Sequence, residues 1–238
     1  MFNPCFAFKL FTIYHDKCAM KVGTDGVLLG AWVNVKAAGR ILDVGTGTGL
    51  IAIMMVQRCD ALIDAVEIDE KASIQAMENV ASCPWKERIT IHHDTFQHFA
   101  GLPSFRYDVV VSNPPFFRNS LKPPLKSRSI ARHDEELSYE NILFCTSQIL
   151  EPDGRLAIIV PANEIDRLTE TAYFHKLFPS QLLNVRPVPG KNYTRCLAEY
   201  TRNRNQICIE NDLIIKRNDA EEYTDDYIAL IKEYYLNF

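Results

Sequence analysis

The chain has 238 residues, 47% hydrophobic and 24% charged, which suffices for one large buried core and leaves little room for several independent domains. Its net charge of −4 excludes a global field that would draw it to polyanions, so any nucleic-acid contact must come from a local patch. Seven cysteines, an odd number with no C-x-x-C pair, argue against a disulfide framework or a zinc site and for a reducing compartment, with the cytoplasm as the expected location.

The amino-terminal MFNPCFAFKLF is apolar but carries Pro4 and Lys9, and it lacks the basic start and long apolar run of a secretion signal. No stretch reaches the roughly 20 apolar residues of a membrane span. The first predicted helix lies in GTDGVLLGAWVNVKAAG (23–39), with Thr24 as N-cap, Asp25 in the first turn and Gly39 marking the end. Strands and helices then alternate: strand RILDV (40–44), apolar helix 48–59, strand LIDAVEI (62–68), helix 70–82, strand RITIHHD (88–94) and strand YDVVVSN (107–113). A loop rich in proline and basic residues (118–133) precedes a helix capped by Ser138, the strand GRLAIIVP (154–161) and a helix over 163–174. QLLNVRPV (181–188) and RCLAEYTR (195–202), joined through PGKNYT, read as an antiparallel hairpin. ICIENDLIIK (207–216) reads as a further short hairpin, and a helix capped by Thr224 closes the chain. This order predicts a doubly wound α/β fold, with a seven-stranded, mostly parallel sheet ending in an antiparallel hairpin. The expectation is one domain over 1–238: an amino-terminal segment and helix (1–39), a core (40–204) and an extension (205–238).

The loop DVGTGTGL (43–50) follows the first strand, where doubly wound sheets bind ligands. Gly45, Gly47 and Gly49, with Thr46 between the first two, let a ligand approach the backbone. The spacing is G-x-G-x-G, not the dinucleotide G-x-G-x-x-G. Asp43, directly upstream, would repel a pyrophosphate and favour an ammonium or sulfonium ligand. Glu67, beside Ile68 at the end of the second strand, suits two ribose hydroxyls, and Asp94 at the end of the third suits an adenine amino group.

The stretch VVSNPPFF (110–117) ends a buried strand with an amide, two rigid rings and two aromatics. Asn113's side-chain oxygen and the carbonyl of Pro114 can accept the hydrogens of an NH₂ group, with Pro114 and Pro115 fixing their separation. Phe116 offers a face on which a base can stack. Arg118, Lys122, Lys126, Arg128 and Arg132 follow with no acid among them, a local patch suited to nucleic-acid phosphates. Arg186, Lys191, Arg195, Arg202 and Arg204 form a second basic group, opposed only by Glu199.

DVGTGTG, VEID, HHDTF and NPPFF, in this order and spacing, resemble the class I S-adenosylmethionine-dependent methyltransferases, and NPPFF is similar to the motif of those that methylate amino groups. FTIYHDKCAMKVGTDGVLLGAW (11–32), RPVPGKNYTR and YTDDYIALIKEYYL resemble the bacterial tRNA1(Val) (adenine(37)-N6)-methyltransferase family over nearly the whole chain. The resemblance implies S-adenosylmethionine as methyl donor and adenine 37 in the anticodon loop of a tRNA as acceptor. It places Thr24 and Asp25 over the amino-acid end of the cofactor, joining Asp43, Gly45, Thr46, Gly47, Gly49, Glu67, Ile68, Asp94 and Asn113. Catalysis would rest on positioning and electrostatics by Asn113, Pro114, Pro115 and Phe116, with no metal and no obligate protein partner. Other substrates with an amino group (rRNA guanine, DNA adenine, a protein glutamine) stay open from the residues alone, as does a non-catalytic RNA-binding module.

Overall fold

The computed structural model describes residues 3–102, 105–115, 137–218 and 222–237. Its centre is an eight-stranded sheet built on strands whose residues alternate between two packed faces. In β3 (Arg40–Val44), Ile41 joins the core on one side and Leu42 the core on the other; Val109 and Val110 do the same in β6 (Tyr107–Ser112). Such double burial explains why both strands read as continuous apolar runs.

β4 (Leu62–Glu67) and β5 (Ile89–His93) extend the sheet to one side of β3. β7 (Leu150–Pro161), β9 (Arg195–Thr201), β8 (Phe178–Arg186) and β10 (Ile209–Ile214) complete it beyond β6. The spatial order is β10-β8-β9-β7-β6-β3-β4-β5, with β9 antiparallel to both its neighbours and every other pairing parallel. The seven expected strands are all present. The stretch expected to form a second hairpin instead gives one strand, β10, which pairs in parallel with β8. The order in which strands are added reverses at β3, with β4 and β5 on one side and β6 and β7 on the other, so a ligand crevice opens at the carboxyl ends of the parallel strands β3 and β6.

One face carries α1 (Thr24–Trp32), α2 (Leu50–Val56), α3 (Glu70–Ala81) and the closing helix α7 (Asp225–Ile231). The other carries α4 (Phe96–Gly101), α5 (Tyr139–Ile149) and α6 (Ile165–Phe174). Asp69, Thr95, Ser138 and Thr224 each accept a backbone N–H as N-caps of α3, α4, α5 and α7. Helix α1 departs from expectation: Gly23, not Thr24, occupies its N-cap, and it stops at Trp32, well before Gly39. The amino-terminal segment forms a small antiparallel pair, β1 (Cys5–Ala7) with β2 (Thr12–Tyr14), which the sequence pattern does not announce. No helix among the described residues is long and apolar enough to cross a membrane.

Candidate active site

The glycine loop turns between β3 and α2 with Gly45, Gly47 and Gly49 at φ of 70°, 58° and 80°, a left-handed conformation that favours glycine at each position. Gly47 matters most, because a Cβ there would meet no atom within 4 Å and would project into open space. That space is a two-lobed cavity. One lobe, of about 390 Å³, is walled by Glu67, Ile68, Asp69, Asp94 and the start of α4; the other, of about 400 Å³, by Thr24, Asp25, Thr46, Thr48 and Arg195. Met20, Gly45, Gly47 and Asn113 border both.

The three strand-end acids have different surroundings. Glu67, nearly buried, accepts the N–H of Gly47 at 2.8 Å on one oxygen and that of Asp69 at 2.9 Å on the other. Asp94 accepts from the N–H of Thr95 at 2.7 Å and pairs with His98 Nδ1 at 2.6 Å. Both retain acceptor capacity, since a carboxylate offers about four lone-pair sites. Asp43 lies beneath the loop instead of on the cavity wall, where the sequence suggests it would face a cationic ligand. It is fully buried, and one oxygen takes the Thr46 hydroxyl at 2.6 Å and the Ala52 N–H at 3.1 Å. Burial raises its carboxyl to about 7, against the pull of those two bonds and with the help of the nearby Glu67 charge. Gly49 is also off the wall, since a Cβ there would meet Ala76 of α3 at 3.6 Å.

Asn113 directly follows β6, at the junction of the two lobes. Its side-chain oxygen is buried and has no hydrogen-bond partner. An orphaned buried acceptor costs roughly 1–3 kcal/mol, an outlay that makes sense at a place where a ligand donates. Pro115 borders the first lobe, while Pro114 is buried behind it. Phe116 and the basic residues Arg118, Lys122, Lys126, Arg128 and Arg132 lie outside the described residues.

A strap over residues 15–23 roofs the cavity, placing Cys18, Ala19 and Met20 on the first lobe and Lys21 and Gly23 on the second. Two buried amides of α3 hold it. Asn79 accepts the Tyr14 N–H at 2.9 Å and donates to the carbonyls of Tyr14 at 2.8 Å and of Thr48, in the glycine loop, at 2.9 Å. Gln75 accepts the Lys17 N–H at 3.1 Å. Sequence reasoning misses this roof. Its signal is the pair Gln75 and Asn79, four residues apart and both 1% exposed, on a helix face that otherwise shows Ala72, Ala76 and Val80. The Cys18 thiol is pushed up to about 11 by burial and by the Glu67 charge, which keeps it protonated and unreactive.

The second basic group is largely committed to the protein itself. Arg186 pairs with Asp212 at 3.2 Å and stacks over Tyr193, Arg195 pairs with Asp25 at 2.8 Å, and Arg202 donates to the carbonyls of Ser147 and Leu150 at the end of α5. Lys191 and Arg204 are exposed.

Residues 18–172 match the family model described as "Methyltransferase small domain". The tRNA1(Val) (adenine(37)-N6)-methyltransferase of Bacteroides thetaiotaomicron is 47% identical, over 100% of this chain and 99% of its own length. The chain belongs to that family. A relative of the same name from Trichodesmium erythraeum is 43% identical over 98% of each chain. Among solved structures, a "predicted O-methyltransferase" of Agrobacterium tumefaciens superposes with a TM-score of 0.68 at 19% identity, covering 88% of this chain and 96% of the other, and it supports the fold alone.

Proposed function

We propose that this chain methylates the N6 amine of adenine 37 in the anticodon loop of tRNA1(Val), with S-adenosylmethionine as donor. One observation carries the reading: the unpartnered, buried Asn113 oxygen at the junction of the two lobes, in a chain whose full-length relatives bear that enzyme name. The chain works as one methyltransferase domain over 1–238.

The site suits the cofactor by the chemistry of its walls. The open face of Gly47 leaves room for a ligand against the backbone, and the wall of the first lobe carries carboxylates fit for hydroxyl and amino donors. Glu67 takes the ribose hydroxyls on its remaining lone pairs, Asp94 takes the adenine amine, and Ile68, 46% exposed, packs against the base. Gly45, Thr46, Gly47, Thr24 and Asp25 surround the remainder. The bound cofactor supplies an electrophilic methyl on a sulfonium. Asn113 accepts one hydrogen of the target amine, and the Pro114 carbonyl accepts the other. Those two bonds draw the nitrogen toward a pyramidal shape and localise a lone pair that the purine ring otherwise delocalises. Phe116 stacks on the flipped base, and the 118–132 cations hold the flanking phosphates.

The deciding experiment supplies labelled cofactor and a tRNA1(Val) transcript to the purified chain, then digests the RNA for nucleoside mass spectrometry. N6-methyladenosine confined to position 37 is the expected product. Methyl transfer to rRNA, DNA or protein pools instead, or none with any pool, would sink the reading.

A further inference from the structure

The two lobes differ in charge. Among the described lining residues, the first lobe has Glu67, Asp69 and Asp94 and neither lysine nor arginine. The second has Lys21 and Arg195 against the single acid Asp25. Lys21 is engaged with the strap, its ammonium donating to the carbonyls of His15 at 2.7 Å and Cys18 at 2.9 Å. Arg195 is different. It opens β9, far along the chain, and reaches back to the first turn of α1, where its Nε meets Asp25 Oδ2 at 2.8 Å and its Nη1 meets the Thr194 carbonyl at 2.9 Å. Its side chain is 30% exposed, on the cavity wall.

The ligand of the proposed reaction is itself polar end to end: an adenosine rich in donors, then an amino acid ending in a carboxylate. A site with three carboxylates in one lobe repels that terminal carboxylate there and needs a cation in the other. We infer that Arg195 binds the carboxylate of the cofactor's amino-acid end, with Asp25 as the positioning residue that orients the guanidinium. A planar guanidinium suits a carboxylate through paired N–H donors, and an acid on Nε fixes which edge faces the cavity. A tie between α1 and β9 alone would not require this pair to line the ligand cavity. The inference rests on the proposed cofactor, and its test separates the two.

Isothermal titration of the full chain with S-adenosylhomocysteine and with 5′-methylthioadenosine, which lacks the amino-acid end, provides that test. Arg195→Gln should weaken S-adenosylhomocysteine on the order of 10- to 100-fold, as for a lost hydrogen bond to a charged group, and leave methylthioadenosine within about twofold. Arg195→Lys should recover part of the loss, and Asp25→Asn should show a smaller loss of the same selectivity. Methylthioadenosine also verifies that each variant is folded. Equal weakening of both ligands would make Arg195 a structural tie and overturn the inference. So would unchanged S-adenosylhomocysteine affinity, including the case in which RNA affinity falls instead. A wild-type chain that binds neither ligand would overturn the cofactor reading itself.

Discussion

The two halves of the sheet use their charged residues in opposite ways. On the β4–β5 side, Glu67, the last residue of β4, and Asp94, the first after β5, border the cavity, each steadied by backbone N–H groups. On the β8–β9 side, Arg186 and Arg202 are held off the cavity by Asp212 and the end of α5, while Arg195, tied to Asp25, reaches the wall of the second lobe. A residue at the carboxyl tip of a parallel strand has its position set by topology, because all such tips gather at one edge. An arginine in or after a hairpin has a long side chain and no such constraint, so its partner is decided by what the fold brings near.

The sharpest attempt to break this comparison is Asn113→Ala. Losing one preorganised acceptor should lower the single-turnover methylation rate by about 10²-fold or more with near-normal binding of RNA. A wild-type rate would end the account of the strand tip. Gly47→Val comes next. A β-branched residue at φ 58° is strained and would fill the space the loop leaves open, so thermal stabilisation by S-adenosylhomocysteine should vanish. A full thermal shift would place the ligand elsewhere.

The two basic groups can then be set against each other. Replacing Lys126 and Arg128 together with alanine should flatten the salt dependence of RNA binding by about 0.7 in slope for each phosphate that is no longer neutralised, while Arg202→Ala should leave that slope alone. Arg202→Ala should instead cost about 1 kcal/mol of stability, read by urea denaturation, because it releases the last carbonyls of α5. A salt slope that follows Arg202 would return the hairpin arginines to the RNA.

The smallest effect concerns Asp43. Its carboxyl titrates at about 7 when folded, against an ordinary 3.8, so the folded chain holds the extra proton between those values. The stability this proton contributes is full below about pH 4 and is lost as the pH rises through 7. Between pH 5 and 8 the melting temperature should therefore fall more steeply in wild type than in Asp43→Asn, by about 2–4 °C for each kcal/mol involved. Parallel curves would show that Asp43 is already ionised in its buried setting.

The sheet was legible because double burial writes uninterrupted apolar runs, as in Val109–Val111, and because caps such as Ser138 and Thr224 announce helices. The glycine loop, Glu67, Asp94 and Asn113 were legible for the same topological reason that they meet. Asp43 was misplaced because sequence adjacency to a loop does not say which side of the loop a side chain takes. β10 read as half of a hairpin because nothing local distinguishes a strand pairing with its neighbour from one pairing with β8 across a crossover. The strap could not be read from local pattern at all, because its hold comes from amides on a helix more than fifty residues away.

That hold has a kinetic consequence. Asn79 joins Tyr14 of the amino-terminal pair to Thr48 of the glycine loop through one carboxamide. The roof cannot lift from Asn79 without unpairing the Tyr14 amide, and the floor loses a brace if that carboxamide turns to follow. Entry to the cavity and loosening of its base are thereby geared to a single side chain, and the Tyr14 amide proton, exchanging with solvent only when the gear slips, becomes a clock for how often the site opens.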